Sequence, residues 1–224
     1  MTAIRKALVL ALFIVASSAS WVQKPSDDDP PCGEPGIGKL QLTKEDTTIL
    51  GLTIGSASLE NVKARLGKTG SLPIGGSASA STTICYVSPT DGTVLTFGSS
   101  DLGGHVDVTE FALWSREAKF PNVSACKPSK LVSRSISTSS GIKLGLSAQQ
   151  LTDIVGTKPK TRPVSVHYEL ICRRKMTPDE IKGFKTGVNW DITANPYIDV
   201  SSFVDARFSS SGTSHIAITK VESY

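Results

Sequence analysis

Gly51-Leu52-Thr53-Ile54-Gly55, then Ser58-Leu59-Glu60-Asn61-Val62 and a closing Leu66-Gly67, recur about ninety residues later. The second copy reads Gly141-Ile142-Lys143-Leu144-Gly145, Ser147-Ala148-Gln149-Gln150-Leu151 and Val155-Gly156. Each copy encodes a short helix. Ser58 and Ser147 stand at the N-cap, where a hydroxyl oxygen accepts from an otherwise unpaired amide, and Gln150 completes a capping box with Ser147. Gly67 and Gly156 suit the left-handed position that stops a helix. Leu59, Val62 and Leu66 make one apolar face, as do Leu151, Ile154 and Val155.

The correspondence continues past the helices. Ile84-Cys85 matches Ile171-Cys172, Phe97-Gly98-Ser99-Ser100 matches Phe208-Ser209-Ser210-Ser211, and Phe111-Ala112-Leu113 matches Ile216-Ala217-Ile218. Strands are expected over 82–87, 93–97 and 109–115, with a turn at Pro89-Thr90-Asp91-Gly92, and then over 164–170, 203–208 and 215–221. Residues 40–42 and 131–136 offer a further strand before each helix. The reading is α+β: two tandem repeats, 39–120 and 121–224, each a short helix or helix pair on an antiparallel sheet of three to four strands. The second repeat holds about two dozen more residues between its first two strands, an insertion at about 173–199. Thr177-Pro178-Asp179-Glu180 opens a helix within it. Residues 70–83, rich in Gly and Ser, read as a loop.

The amino terminus reads as an export signal over 1–20. Arg5 and Lys6 precede the apolar run Ala7 to Ala16, and Ser18-Ala19-Ser20 supplies the small residues of a cleavage site. The run is too short to span a bilayer, which takes about twenty residues. Residues 21–38, rich in Pro, Gly and Asp, read as a flexible leader. Formal charge is +4 from 24 basic and 20 acidic residues, and loss of Arg5 and Lys6 brings the chain closer to balance. Such a composition does not predict nucleic-acid binding, which needs clustered positive charge. The four cysteines, Cys32, Cys85, Cys126 and Cys172, make two disulfides the expectation in an oxidising, periplasmic or secreted setting. Three connectivities are open, and repeat symmetry favours Cys32–Cys85 with Cys126–Cys172.

The motif Gly-Leu-Thr-Ile-Gly to Leu-Gly over 51–67, with its second copy running to Gly156-Thr157-Lys158-Pro159, resembles one in small exported bacterial proteins. These are the outer-membrane assembly lipoproteins of the SmpA/OmlA type and the tandem-repeat proteins like the β-lactamase inhibitory protein. The resemblance implies helices packed on an antiparallel sheet and action by binding other proteins of the bacterial envelope. It carries over no functional residue, and this chain lacks the lipidated cysteine of the lipoproteins.

Catalytic signals are sparse. Gly33-Glu34-Pro35-Gly36-Ile37-Gly38-Lys39 fits a phosphate-loop pattern, but Leu40 replaces the metal-binding hydroxyl and no buried strand precedes it. There is no G-x-S-x-G elbow and no metal-ligand spacing, and His105, His167 and His215 read as separate surface or rim residues. Asp27-Asp28-Asp29 reads as a solvated linker. Asn122-Val123-Ser124 is a glycosylation sequon that matters only in a eukaryotic source. No cofactor is expected. The primary reading is an exported, non-catalytic binding protein, with Trp114, Trp190, Tyr197, Arg173 and Arg174 as candidate partner contacts. An inhibitor of a secreted enzyme is its sharper version. A hydrolytic enzyme assembled from scattered residues is the alternative.

Overall fold

A computed structural model describes residues 29–33, 38–73, 82–100, 107–162, 165–185 and 196–223. The signal segment 1–20, most of the leader and the centre of the phosphate-loop-like stretch lie outside the described residues. His105 and Trp190 lie outside them too.

Both glycine motifs build tight reversals. Strands β1 (Thr48–Ile49) and β2 (Leu52–Thr53) pair across Leu50-Gly51, and Ser137 bridges Lys143 across Gly141. Gly51 has φ +79° and Gly141 φ +96°, a region that side chains bearing a Cβ rarely adopt. The two reversals touch: Ile49 bridges Thr138, and the Ser139 N–H donates to the Thr48 carbonyl at 3.1 Å. Helix α1 (Leu59–Leu66) starts at Ser58, whose Oγ accepts from Asn61 N at 3.2 Å while Asn61 Oδ1 accepts from Ser58 N at 2.9 Å. Helix α2 (Ala148–Val155) repeats the box with Ser147 and Gln150 at the same distances. A third helix, α3 (Pro178–Lys185), opens on the expected Thr177–Glu180 box.

The remaining strands are β3 (Leu72–Pro73), β4 (Thr82–Val87), β5 (Val94–Ser99), β6 (Glu110–Trp114), β7 (Lys127–Pro128), β8 (Lys160–Arg162), β9 (Ser165–Lys175), β10 (Tyr197–Ser209) and β11 (Gly212–Ser223). The fold is α+β. Instead of a separate sheet for each half, these strands form one mixed sheet ordered β3-β4-β5-β6-β11-β10-β9-β8, with β7 parallel beside β4. The seam is the antiparallel β6–β11 ladder, where Ala112 faces Ala217 between the pairs Leu113–Ile216 and Phe111–Ile218.

Alternation decides the layers, since successive strand side chains point to opposite faces. Ile84, Tyr86, Leu95, Phe97, Phe111, Leu113, Tyr168, Leu170, Val204, Ile216 and Ile218 share one core with Leu59, Val62 and Leu66 of α1 and Leu151 and Val155 of α2. Two fully buried phenols tie this layer together. Tyr86 Oη donates to the Gly67 carbonyl at 2.8 Å, and Tyr168 Oη lies 3.0 Å from Thr152 Oγ1 on α2.

Several expectations need correction. The disulfides are Cys32–Cys172 and Cys85–Cys126, not the pairing favoured by repeat symmetry. The cause is a crossing of the lead-in segments. β7 follows Cys126 and runs parallel to the end of β4, with Ser129 N donating to the Val87 carbonyl at 2.9 Å. On the far edge Pro31 bridges Arg173 in parallel, and Cys32 N donates to the Arg173 carbonyl at 2.7 Å. Each lead-in thus caps the outer strand of the opposite half, and the described part of the leader is pinned. Residues 40–42 and 131–136 form no strand, because Leu42 and Val132 join the core from irregular backbone. The 173–199 insertion is in part longer strand, for Tyr197 pairs with Lys175 and Asp199 with Arg173. Register also moves one match: Ile84 pairs with Phe97, but Ile171 pairs with Ser201, so Phe208 is not the partner that symmetry would place there.

Candidate functional site

The sheet face turned away from α1 and α2 differs sharply along its width. Towards β4 it is dry: Cys85, Cys126, Leu72 and Val94 pack with Val87, Trp114 and Phe120. Towards β9 and β10 the corresponding side chains His167, Glu169, Phe203 and Asp205 are only partly buried.

Register resolves this outer face into rows that cross the strands. One row runs Arg207–His215–Trp114–Val94, the next His167–Asp205–Ala217–Ala112–Thr96, and the third Glu169–Phe203–Thr219–Glu110–Gly98. The middle row is made of small side chains over the seam, and large ones flank it. The result is a groove of about 380 Å³ whose lining includes Trp114, Phe120, Arg207, Arg162, His215 and Glu110. A valley forms here because the sequence places Ala112 and Ala217 where bulk would level the surface.

The basic-aromatic wall is tightly stacked. The Trp114 ring lies 3.9 Å from that of His215 and 5.3 Å from that of Phe120, and the Arg207 guanidinium sits 5.9 Å above the indole. His215 is 7% exposed, so it is not the rim residue that its place at a strand start implied. Burial, aided by the Arg207 charge, pushes its pKa down to about 4, against a smaller opposing pull from Asp205. Its Nδ1 and the Trp114 Nε1 are buried without a hydrogen-bond partner. On the opposite wall Glu110 crosses Gly98, where an added Cβ would lie 2.5 Å from the carboxylate oxygen. Desolvation raises the Glu110 pKa.

At the groove's margin His167 Nδ1 meets Oδ1 of the lining residue Asp205 at 2.9 Å, and the His167 ring stacks on Phe203 at 5.6 Å. A histidine oriented by a carboxylate becomes a nucleophile-activating relay only when a hydroxyl or thiol bonds to its other nitrogen. Among the described residues no serine hydroxyl bonds to that histidine.

The remaining sequence candidates divide. Trp114 lines the groove. Tyr197 is 47% exposed at the start of β10, with the Arg173 guanidinium 5.7 Å from its ring centre. Arg173 also pairs with Asp199 at 3.0 Å. Arg174 lies between Glu180 at 2.6 Å and Glu222 at 2.5 Å, which tie α3 to the sheet. Its hydrogen bonds hold the Glu180 carboxyl down at about 2. Lys39 of the phosphate-loop-like stretch is engaged by Asp46 and the Ile154 carbonyl. Sequence reasoning missed Phe120, Arg162 and Arg207, and it set His215 aside as a surface or rim residue. The available signal was the pair of alanines on strands otherwise rich in large residues.

Among the described residues no helix is long and apolar enough to cross a membrane. No protein-family model, curated protein or solved structure matches the chain.

Proposed function

We propose that this chain is an exported, non-catalytic binding protein of the bacterial envelope, built from a duplicated α+β unit, that presents its outer sheet face to a protein partner. The observation that carries this reading is the asymmetry of the sheet. One face is sealed by the helices, while the other keeps aromatic and charged side chains partly exposed around a groove. Interfaces are rich in such residues.

Duplication is supported by the way the halves meet. The motif match that sets Phe111-Ala112-Leu113 against Ile216-Ala217-Ile218 maps the seam pair Phe111–Ile218 onto Ile216–Leu113, which is also a seam pair. A two-fold axis through Ala112 and Ala217 accounts for this. The crossed disulfides share this exchange in connectivity alone: each joins the lead-in of one half to an outer strand of the other, while register sets Cys85 opposite His167 and not Cys172. Export is supported by two disulfides, which persist in oxidising compartments, and by the residue pattern of 1–20. The motif-level resemblance to tandem-repeat envelope binders points the same way.

The test is site-specific photo-crosslinking in the native envelope, with a photoreactive phenylalanine at Phe203 or Tyr197 and a control at Gln149 on α2. Discrete adducts from the sheet positions and none from Gln149 are expected. Adducts confined to Gln149, or none anywhere, would overturn the reading.

A further inference from the structure

The groove over the seam is two-ended in charge, and its cations are handled differently from those elsewhere on the same face. Lys160 pairs with Glu169, and Arg173 with Asp199. Arg207 and Arg162 line the groove and are exposed, yet neither has a carboxylate partner among the described residues. Asp205, a carboxylate of the same lining, is paired with His167. Arg207 lies over Trp114, and its planar guanidinium is suited to grip a carboxylate through two parallel hydrogen bonds while stacked on a ring. Arg162 stands two strands from Arg207 in the sheet order, about 10 Å at the usual strand spacing, which two long side chains can bridge.

The aromatic part is equally specific. Trp114 and Phe120 meet edge to face and offer an apolar wall, with Ala112 and Ala217 leaving room beside it. His215 is more than nine-tenths buried in the lining, and its Nδ1 is unsatisfied, as is the Trp114 indole N–H. Buried polar atoms are seldom left without partners, and two of the four such side-chain atoms among the described residues sit in this wall. Held neutral, His215 can donate one N–H. Glu110 stands four residues along β6 from Trp114, about 13 Å away, and would repel a second anionic group at that end. A groove of about 380 Å³ is within the range of small-ligand sites.

We propose that this groove is a receptor for a single carboxylate carried on an aromatic body, the carboxylate held by Arg207 and Arg162 and the ring packed on Trp114 and Phe120. The inference rests on reading the outer face as the binding surface. Two sources share this chemistry: a free arylalkanoic acid and the carboxyl-terminal aromatic residue of a partner chain.

The experiment is an NMR titration of the full chain with both disulfides formed. It follows the Trp114 indole N–H and the Ala112 and Ala217 amides. The probes are 3-phenylpropionate, acetyl-Gly-Gly-Phe with a free carboxylate, and the amide of each. Saturable shifts are expected for the acids, with the amides at least ~10-fold weaker, the order expected when a charged hydrogen bond is lost. R207Q and R162Q should each weaken the acids by ~10-fold or more and leave the amides unchanged, the fold being checked by the remaining spectrum. A tripeptide acid that binds tighter than phenylpropionate assigns the site to a partner's chain end, and the reverse order to a free acid. Equal binding of acid and amide, indifference to both arginine substitutions, or no shift at all would overturn the proposal. Crosslinking at Phe203 and Tyr197 is independent of these probes, so adducts there alongside a failed titration would leave the binding-protein reading standing.

Discussion

The two ends of the sheet begin from the same plan and finish differently. At each, a buried tyrosine reaches back to its helix, a short antiparallel strand covers the start of the edge strand, and a parallel lead-in with a disulfide closes its far end. Towards β4 the outer face is packed by Cys85, Val94, Trp114 and Phe120. Towards β9 it is a half-wet lattice of ion pairs and rings around Phe203. The lesson is that one scaffold can spend one half on rigidity and leave the other half adaptable. An outer face that is dry at one end and polar at the other sets a rigid block beside a surface whose polar groups stay within reach of solvent.

The largest lever on this comparison is the pair of crossed disulfides. Cys32–Cys172 closes a separation of 140 residues and Cys85–Cys126 one of 41. Loop-closure entropy in the unfolded chain then stabilises by about 5 and about 4 kcal/mol respectively. Urea unfolding of C32S/C172S and C85S/C126S should show both losses, the first larger by about 1 kcal/mol. If C85S/C126S lost more, packing of the dry cluster around Cys85 would outweigh chain entropy, and the halves would differ in kind.

Next in size is the buried histidine at the join. His215 titrates near 4 in the fold and near the ordinary 6.5 when unfolded. Above pH 6.5 neither state is protonated, and the group leaves stability unchanged. Between 6.5 and 4 the unfolded chain takes up a proton that the fold refuses, so stability falls, and below 4 the loss is complete. The difference amounts to about 3 kcal/mol. Chemical denaturation of the protein and of H215Q from pH 7.5 to 4 should give curves that diverge by this much in that window. Parallel curves would mean that water reaches the imidazole, and that the seam is as wet as the β9 side.

How much of this could be read beforehand depends on how local the signal is. β4 was legible because its β-prone residues and the turn after it are local, although the loop reading of 70–83 overlaps its first two residues and misses β3. The boxes at Ser147 and Thr177 were legible too, whereas at Ser58 only the N-cap was, since Asn61 stands where a box usually has Glu or Gln. The seam was not, since Ala112 and Ala217 meet over a hundred residues apart and neither carries a pairing preference. Symmetry matched Cys85 with Cys172, but register places Cys85 across the seam from His167, and Cys172 lies on the helix side of its strand. Symmetry could not reveal that a two-residue parallel strand at Lys127–Pro128 and a single parallel bridge at Pro31 carry the lead-ins across the molecule. The groove stayed hidden for a related reason: a concavity between rows exists only once register sets Arg207, His215 and Trp114 side by side. Of the candidate contacts, Trp114 lines that groove and Tyr197 stands exposed, whereas Arg174 is committed to Glu180 and Glu222.

The smallest expected effect is the most direct test of equivalence. Ser58 and Ser147 cap their helices with matching geometry, and the chain just before each is tied to the chain at or just before the start of a seam strand. Val108 N donates to the Ala57 carbonyl at 2.8 Å in one half, and Thr213 N to the Leu146 carbonyl at 2.9 Å in the other. S58A and S147A should therefore cost about 1 kcal/mol each. With no shared partners, the double variant should show their sum within about 0.5 kcal/mol. Denaturation of the three variants reads this directly. A loss confined to one serine would mean that only that helix needs its cap, because the other is held by its tertiary contacts. The likeness of the halves would then be one of sequence and not of energetics.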